Sequence, residues 1–348
     1  MTVLYISQVD DRRYERLARY RGFSATLPRW REACAAVVGL GGLGGGLVGH
    51  LARLGVARLV LIDRDTVSSE NLGYQPLFTA DDAASGIPKA VAAQRVALQI
   101  NPATAVAAHA VELTRHNIAQ LLDGVSLLFD GLDNYYTRLL LNDFAHQAHV
   151  PYFYAGVVRG QLSARAVVPG ITGCLRCLVD RPPPAGSAPT CAAEGVFPPL
   201  LAVANALQLD AANRYLAGQY TPQDDVLFSL DTEDWRLVKT SLGGWRSACP
   251  VCGQGRFEYL DGTLDALARG ACAEGRLEAE LASGGLDLEA AWRLLDSAGG
   301  FTLRRNSYCL VAETSGMRYT LFASGRVVLE GSSDPADLNR FIMTYLGS

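Results

Sequence analysis

The sequence has no surplus of positive charge and no basic tract: 31 Lys and Arg face 35 Asp and Glu, for a formal net charge of −4. Nucleic acid is therefore not expected as a partner, because phosphate backbones are bound by clustered cations. Long hydrophobic runs are also missing. The longest, around residues 195–209, is interrupted by Pro198, Pro199 and Asn205, so no membrane span is expected. No apolar leader is expected, since the opening MTVLYISQVDDRRYERLARYRG sets Asp10 and Asp11 where such a leader needs apolar residues. Eight cysteines over 348 residues, without a leader, argue against a disulfide scaffold and for a reducing cytoplasm. The five histidines show no ligand spacing, and there is no internal repeat or low-complexity tract.

What is present is an alternation of strand and helix patterns. AAVVGL reads as a buried strand, GGGLVGHLARLG as a helix ended by Gly55, and ARLVLID as the next strand. A helix over 89–100, a strand over 103–111 and a helix near 115–123 follow. Next come a strand at 126–131, a helix at 136–147, strands at 151–158 and 161–169, and a long apolar helix at about 197–217. The expected fold is α/β: a Rossmann-like, mostly parallel sheet with helices on both faces. Residues 1–256 form that domain, and 257–348 form a small C-terminal α+β module. In the module a helical region at 263–297 precedes short strands YCLVAE, RYTLFAS and RVVLEG and a helix at 334–345.

The densest signal is VVGLGGLGGG. Gly39, Gly41, Gly42 and Gly44 spell G-x-G-G-x-G after a strand and before a helix, the arrangement that brings backbone N–H groups against a phosphate. Asp63 lies 19 residues beyond Gly44, at the end of the next strand, where a carboxylate can hold a ribose hydroxyl pair. Alone, this fingerprint favours a NAD-dependent oxidoreductase. The rest of the chain points elsewhere. Cys174-x-x-Cys177 and Cys249-x-x-Cys252, in TGCLRCL and ACPVCGQ, have the spacing of a four-cysteine zinc site, structural because no ligand position is left open.

These stretches, with LVLIDRDTVSSENLGYQPLF, GIPKA, INPATAV, FDGLDNYYTRLLLND, TCAAEGVFPPL and CPVCG, span about residues 12–256. In order and spacing they resemble the ThiF/MoeB/HesA family, relatives of ubiquitin-activating enzymes. The resemblance implies adenylation, by ATP and Mg2+, of the C-terminal glycine of a small ubiquitin-like sulfur-carrier protein with a Gly-Gly end. It also implies a homodimer. No sulfurtransferase domain is visible, so a sulfur donor would act in trans.

By the same resemblance, Lys89 would contact the phosphates and Asp133 in GLDN would hold magnesium, with Asp130 the alternative. Asp65, Asn71 and Gln75 would line the ATP pocket, and Arg138 matches the arginine after the DN turn. Two departures stand out: Tyr74 occupies the place of a phosphate-contacting arginine, for which Arg64 or an arginine from elsewhere would have to compensate, and Leu17 replaces a glutamine beside Arg16. Arg16 would reach the partner's ATP site. Cys191 matches a cysteine that in relatives becomes linked to the activated carrier. Cys34, Cys272 and Cys309 have no pairing pattern and read as buried hydrophobes. A non-catalytic binding relative, suggested by Tyr74, is a third reading.

Overall fold

The computed structural model describes residues 11–179, 181, 194–244, 247–264, 276–281 and 285–346. The chain divides into two compact units. The first contains Met1–Asp65, Gly73–Leu77 and Lys89–Ala268; the second contains Thr66–Leu72, Phe78–Pro88 and Arg269–Ser348.

In the first unit, eight strands form one sheet: β1 (Cys34–Val38), β2 (Arg58–Ile62), β3 (Ala105–His109), β4 (Leu127–Asp130), β5 (Tyr152–Val158), β6 (Gln161–Val167), β7 (Val226–Asp231) and β8 (Arg236–Ser241). Their order is β3-β2-β1-β4-β5-β6-β7-β8. The first five are parallel and the last three antiparallel. Alternate residues serve opposite faces. Ala35, Val37, Leu59, Leu61, Phe129 and Phe153 pack with helices α1 (Gly42–Leu54), α2 (Lys89–Ile100) and α4 (Pro198–Leu216). Ala36, Val38, Val60, Ile62 and Leu128 pack on the other face with α3 (Tyr135–Gln147) and with the cysteines at 174 and 249.

The second unit carries an antiparallel sheet of five strands: β9 (Arg276–Glu280), β10 (Thr302–Arg305), β11 (Cys309–Thr314), β12 (Met317–Phe322) and β13 (Arg326–Glu330). Their order is β10-β11-β12-β13-β9. One face packs on α5 (Leu288–Ala298) and α6 (Pro335–Tyr345) through Leu310, Leu321, Leu329, Leu295 and Phe341.

Three expectations change. Residues 257–264 stay with the first unit rather than opening a C-terminal module, because fully buried Tyr259 joins its core and donates its N–H to Asp143 Oδ2 at 2.9 Å. Segments 66–72 and 78–88 belong to the second unit, a placement that no local pattern encodes. Within 263–297, the part at 276–280 is a strand rather than a helix, since RLEAE pairs along β13. Strands β7, β8 and β10 are additions to the sequence reading; β8 is exposed along its whole length and offers no apolar alternation to read. The described residues contain no helix long and apolar enough to cross a membrane.

A Cβ on Gly44 would sit 1.8 Å from the carbonyl oxygen of Gly39, and neither backbone can retreat inside the buried turn. Gly44→Ala is therefore expected to lower stability by at least about 2 kcal/mol in urea unfolding; a wild-type midpoint would show that the loop can open.

Candidate nucleotide and metal sites

In the strand order 3-2-1-4-5, the strands stay parallel but the direction in which they are added across the sheet reverses between β1 and β4, where open α/β sheets bind ligands at the carboxyl ends of the strands. The glycine turn leaves β1 there, and Asp130-Gly131-Leu132-Asp133 leaves β4 beside it. The two turns touch through backbone alone: a Cβ on Gly131 would lie 2.1 Å from the Gly39 oxygen, and one on Gly39 (φ +83°) 2.6 Å from the Gly131 oxygen. Only glycine satisfies either position. Helix α1 starts at Gly42 with Gly41 as its N-cap and no side chain capping it, which leaves its first N–H groups for an anion. From behind, α4 braces the junction. Gln208 Nε2 donates to the carbonyls of Asp130 and Phe153, each at 2.8 Å, and Asn205 Nδ2 donates to that of Leu43 at 2.9 Å.

Asp63 Oδ2 accepts the Leu40 N–H at 2.6 Å and Oδ1 accepts the Asp65 N–H at 2.7 Å. The carboxylate thus braces the glycine turn and keeps lone pairs for a further donor. Lys89 opens α2, with 6% of its surface exposed. Its N–H donates to the Asp65 carbonyl at 2.8 Å, and its Nζ lies 3.3 Å from Asp65 Oδ2. Burial works against the ammonium, but Asp65 and Asp63 outweigh it and raise its pKa, so the cation persists. Gln75 is buried beside the turn; its Nε2 donates to the Tyr74 hydroxyl at 3.1 Å, and its Oε1 has no partner. Arg64 is paired with Glu112 at 2.8 Å. Asn71, in the second unit, accepts the Ser68 N–H at 3.1 Å through its own side chain.

The two aspartates of FDGLD have different settings. Asp130 is fully buried: Arg138 Nε lies 3.1 Å from Oδ2, the Tyr152 hydroxyl donates at 2.5 Å, and the Leu132 N–H donates to Oδ1 at 2.8 Å. Burial raises its pKa, against Arg138 and Tyr152, which lower it. Arg138 also donates to the carbonyls of Leu132 and Ala155 and lies over the rings of Tyr135 and Tyr154. These contacts build Arg138 into the fold, and it also lines the cleft beside Asp133. Asp133, by contrast, is exposed and lines a cleft of about 720 Å3 with Tyr135, Tyr154, Gln161, Ser229 and Arg236. Arg16 is exposed on the short helix Glu15–Arg19. Cys191 and Cys272 lie outside the described residues; Cys34 and Cys309 are buried.

The four remaining cysteines converge. Cys174 Sγ lies 3.5 Å from Cys249 Sγ and 4.0 Å from Cys177 Sγ, and Cys177 Sγ lies 3.4 Å from Cys252 Sγ. All four sulfurs fall within 4.8 Å of one another, so together they could hold a metal ion. Tetrahedral zinc with Zn–S of about 2.3 Å needs sulfurs about 3.8 Å apart, which this cluster fits. Backbone turns present the thiols: Cys177 N–H donates to the Cys174 carbonyl at 3.1 Å, and Gln254 N–H to that of Cys249 at 3.0 Å. The buried pair Arg165–Asp225, at 2.5 Å, ties the loops together, with Arg165 donating to the Gly173 carbonyl at 2.6 Å and Asp225 Oδ2 accepting the Gly244 N–H at 2.8 Å.

The ThiF family model matches residues 14–249, and the chain belongs to the ThiF family. It is 32% identical over 323 residues to the "Sulfur carrier protein ThiS adenylyltransferase" of Bacillus subtilis, covering 91% of this chain and 94% of that one. It is 34% identical over 257 residues to the "Molybdopterin-synthase adenylyltransferase" of Salmonella typhimurium, covering 72% of this chain and 99% of that one. In fold it is similar to the crystal structure of MccB from E. coli, with a TM-score of 0.60 and 20% identity over 72% of this chain and 74% of that one.

Asp130→Ala would leave the Arg138 cation buried without its anion and is expected to cost about 3–5 kcal/mol in urea unfolding. Asp133→Ala, at an exposed position, should stay within about 0.5 kcal/mol of wild type. Equal losses would contradict the division between a structural and an accessible aspartate.

Proposed function

We propose that this protein adenylates the C-terminal glycine of a small ubiquitin-like sulfur-carrier protein. The observation that supports this most is a glycine turn, Asp63 and a charged Lys89 gathered at one end of the sheet in a ThiF-family chain. The carrier's terminal carboxylate attacks the α-phosphorus of ATP. A C–O–P bond forms, the bond to the β-phosphate oxygen breaks, and pyrophosphate leaves. Two anions must meet, so the chain's task is to offset charge and hold geometry.

The N–H groups at the start of α1 receive a phosphate, and Asp63 receives the ribose hydroxyls while bracing the turn. Lys89 receives the polyphosphate. Its contact with Asp65 keeps the ammonium charged in the free protein, and the phosphates share or displace that carboxylate. Gln75 offers its unpartnered oxygen to the nucleotide. Asp133 would supply one carboxylate to Mg2+, whose charge would offset that of the phosphates. The cleft beside Asp133, walled by residues of the antiparallel strands, receives the carrier's extended Gly-Gly tail. Zinc at the four cysteines is structural.

The homodimer, the Arg16 contact into the partner's site, a sulfur donor in trans and onward transfer to Cys191 belong to the same reading and rest on the family resemblance. The oxidoreductase alternative finds no support, since the relatives are named for adenylyl transfer.

ATP–pyrophosphate exchange with carriers ending in Gly-Gly tests the reading. Lys89→Ala and Asp133→Ala should each lower exchange by about 100-fold or more while the fold survives; wild-type exchange in Lys89→Ala would misplace the pocket. Metal analysis should find about one zinc per chain, and Cys252→Ser should lose it and unfold at lower temperature. Full stability of a metal-free preparation would remove zinc from the account.

A further inference from the structure

The second unit contains a stretch of the adenylating region's own sequence, and the residues holding it define a task for the C-terminal module. Segment 78–88 runs directly into Lys89. Helix Ala80–Ser85 is closed at its front by a reciprocal Thr79–Asp82 cap and ends on Gly86 in the left-handed region, φ +61°. Six residues are too few for a helix to persist alone, so its order depends on packing and on donors for its last carbonyls.

The module supplies those donors. Asn306 Nδ2 donates to the Ser85 carbonyl at 2.9 Å, and the Cys309 thiol donates to the Gly86 carbonyl at 3.3 Å. A Cβ on Gly86 would meet a Val311 methyl at 3.3 Å, so the module's sheet lies against this turn. Cys309, Val311, Phe322 and Val328 form a small buried cluster on the sheet face opposite the one that packs on α5 and α6. After Gly86, the Ile87 carbonyl accepts the Val67 N–H at 2.9 Å, and Thr66 bridges Pro88. One residue later the Lys89 N–H donates to the Asp65 carbonyl at 2.8 Å.

We propose that the C-terminal module is a positioning element for nucleotide binding: Asn306 and Cys309 cap the 80–85 helix and so set the start of α2, where Lys89 stands. The inference rests on the reading of Lys89 as a phosphate contact. Asn306 also anchors its own turn, its Oδ1 accepting the N–H groups of Tyr308 at 2.8 Å and Cys309 at 3.0 Å. Asn306→Asp therefore keeps the turn's acceptor, removes the donor to Ser85 and faces that carbonyl with an oxygen.

The test is MgATP binding by calorimetry on the full chain, paired with amide hydrogen exchange over peptides 80–89 and 309–330. Asn306→Asp and Cys309→Ala should each weaken MgATP about fivefold, the equivalent of one hydrogen bond. Both should speed exchange in 80–89 and leave the strands at 309–330 protected; Cys309→Ser, which keeps a donor, should restore both readouts. Lys89→Ala serves as the reference. If it weakens MgATP while Asn306→Asp and Cys309→Ala match wild type in affinity and exchange, the positioning role is overturned. If Lys89→Ala binds MgATP normally, the phosphate reading of Lys89 fails. Unchanged exchange at 80–89 would then also overturn the capping role, and faster exchange would retain it.

Discussion

Everything at the candidate nucleotide site depends on one close approach, the backbone of the glycine turn against the backbone of Gly131. With Cβ positions of 1.8 to 2.6 Å from carbonyl oxygens, three of these residues can only be glycine. The consequence runs outward. Because the turn is that tight, α1 begins at Gly42 with no side chain over its N-terminus. Asp63 follows the end of β2, Asp133 follows the end of β4 and Lys89 opens α2, all three in one unit. The buried Asp130–Arg138–Tyr152 group fills the space under the turn and fixes where the loop bearing Asp133 emerges.

A second constraint is charge. A lysine with 6% of its surface exposed remains a cation only because carboxylates stand beside it. Asp65 thus sustains the positive charge that, on the proposed reading, a polyphosphate would share, so that phosphate binding and the resting ion pair would be two uses of one ammonium.

The parallel half of this fold was legible because buried strands read as continuous apolar runs, and the glycine turn because its chemistry is local. Spacing within single loops likewise exposed the four cysteines. What escaped was set by distant partners. RLEAE has helix-forming residues yet becomes a strand along β13, and RLVKTS is an edge strand exposed on both faces. That Asp130 lies within a buried strand and Asp133 beyond its end could be reasoned from strand position. The lock of Arg138 and Tyr152 on Asp130 could not, because it joins residues 8 and 22 positions away. The assignment of 66–72 and 78–88 to the second unit was invisible for the same reason, with Asn306 lying 221 residues from Ser85.

The central claim is that the glycine turn receives the phosphates of ATP rather than those of a dinucleotide. Calorimetric titration of the full chain with MgATP, repeated in saturating NAD, addresses it directly. The account predicts MgATP binding that NAD does not weaken and that Gly41→Asp, which sets a carboxylate at the N-terminus of α1, abolishes. NAD binding that excludes ATP, or ATP affinity indifferent to a negative charge at that turn, would contradict it.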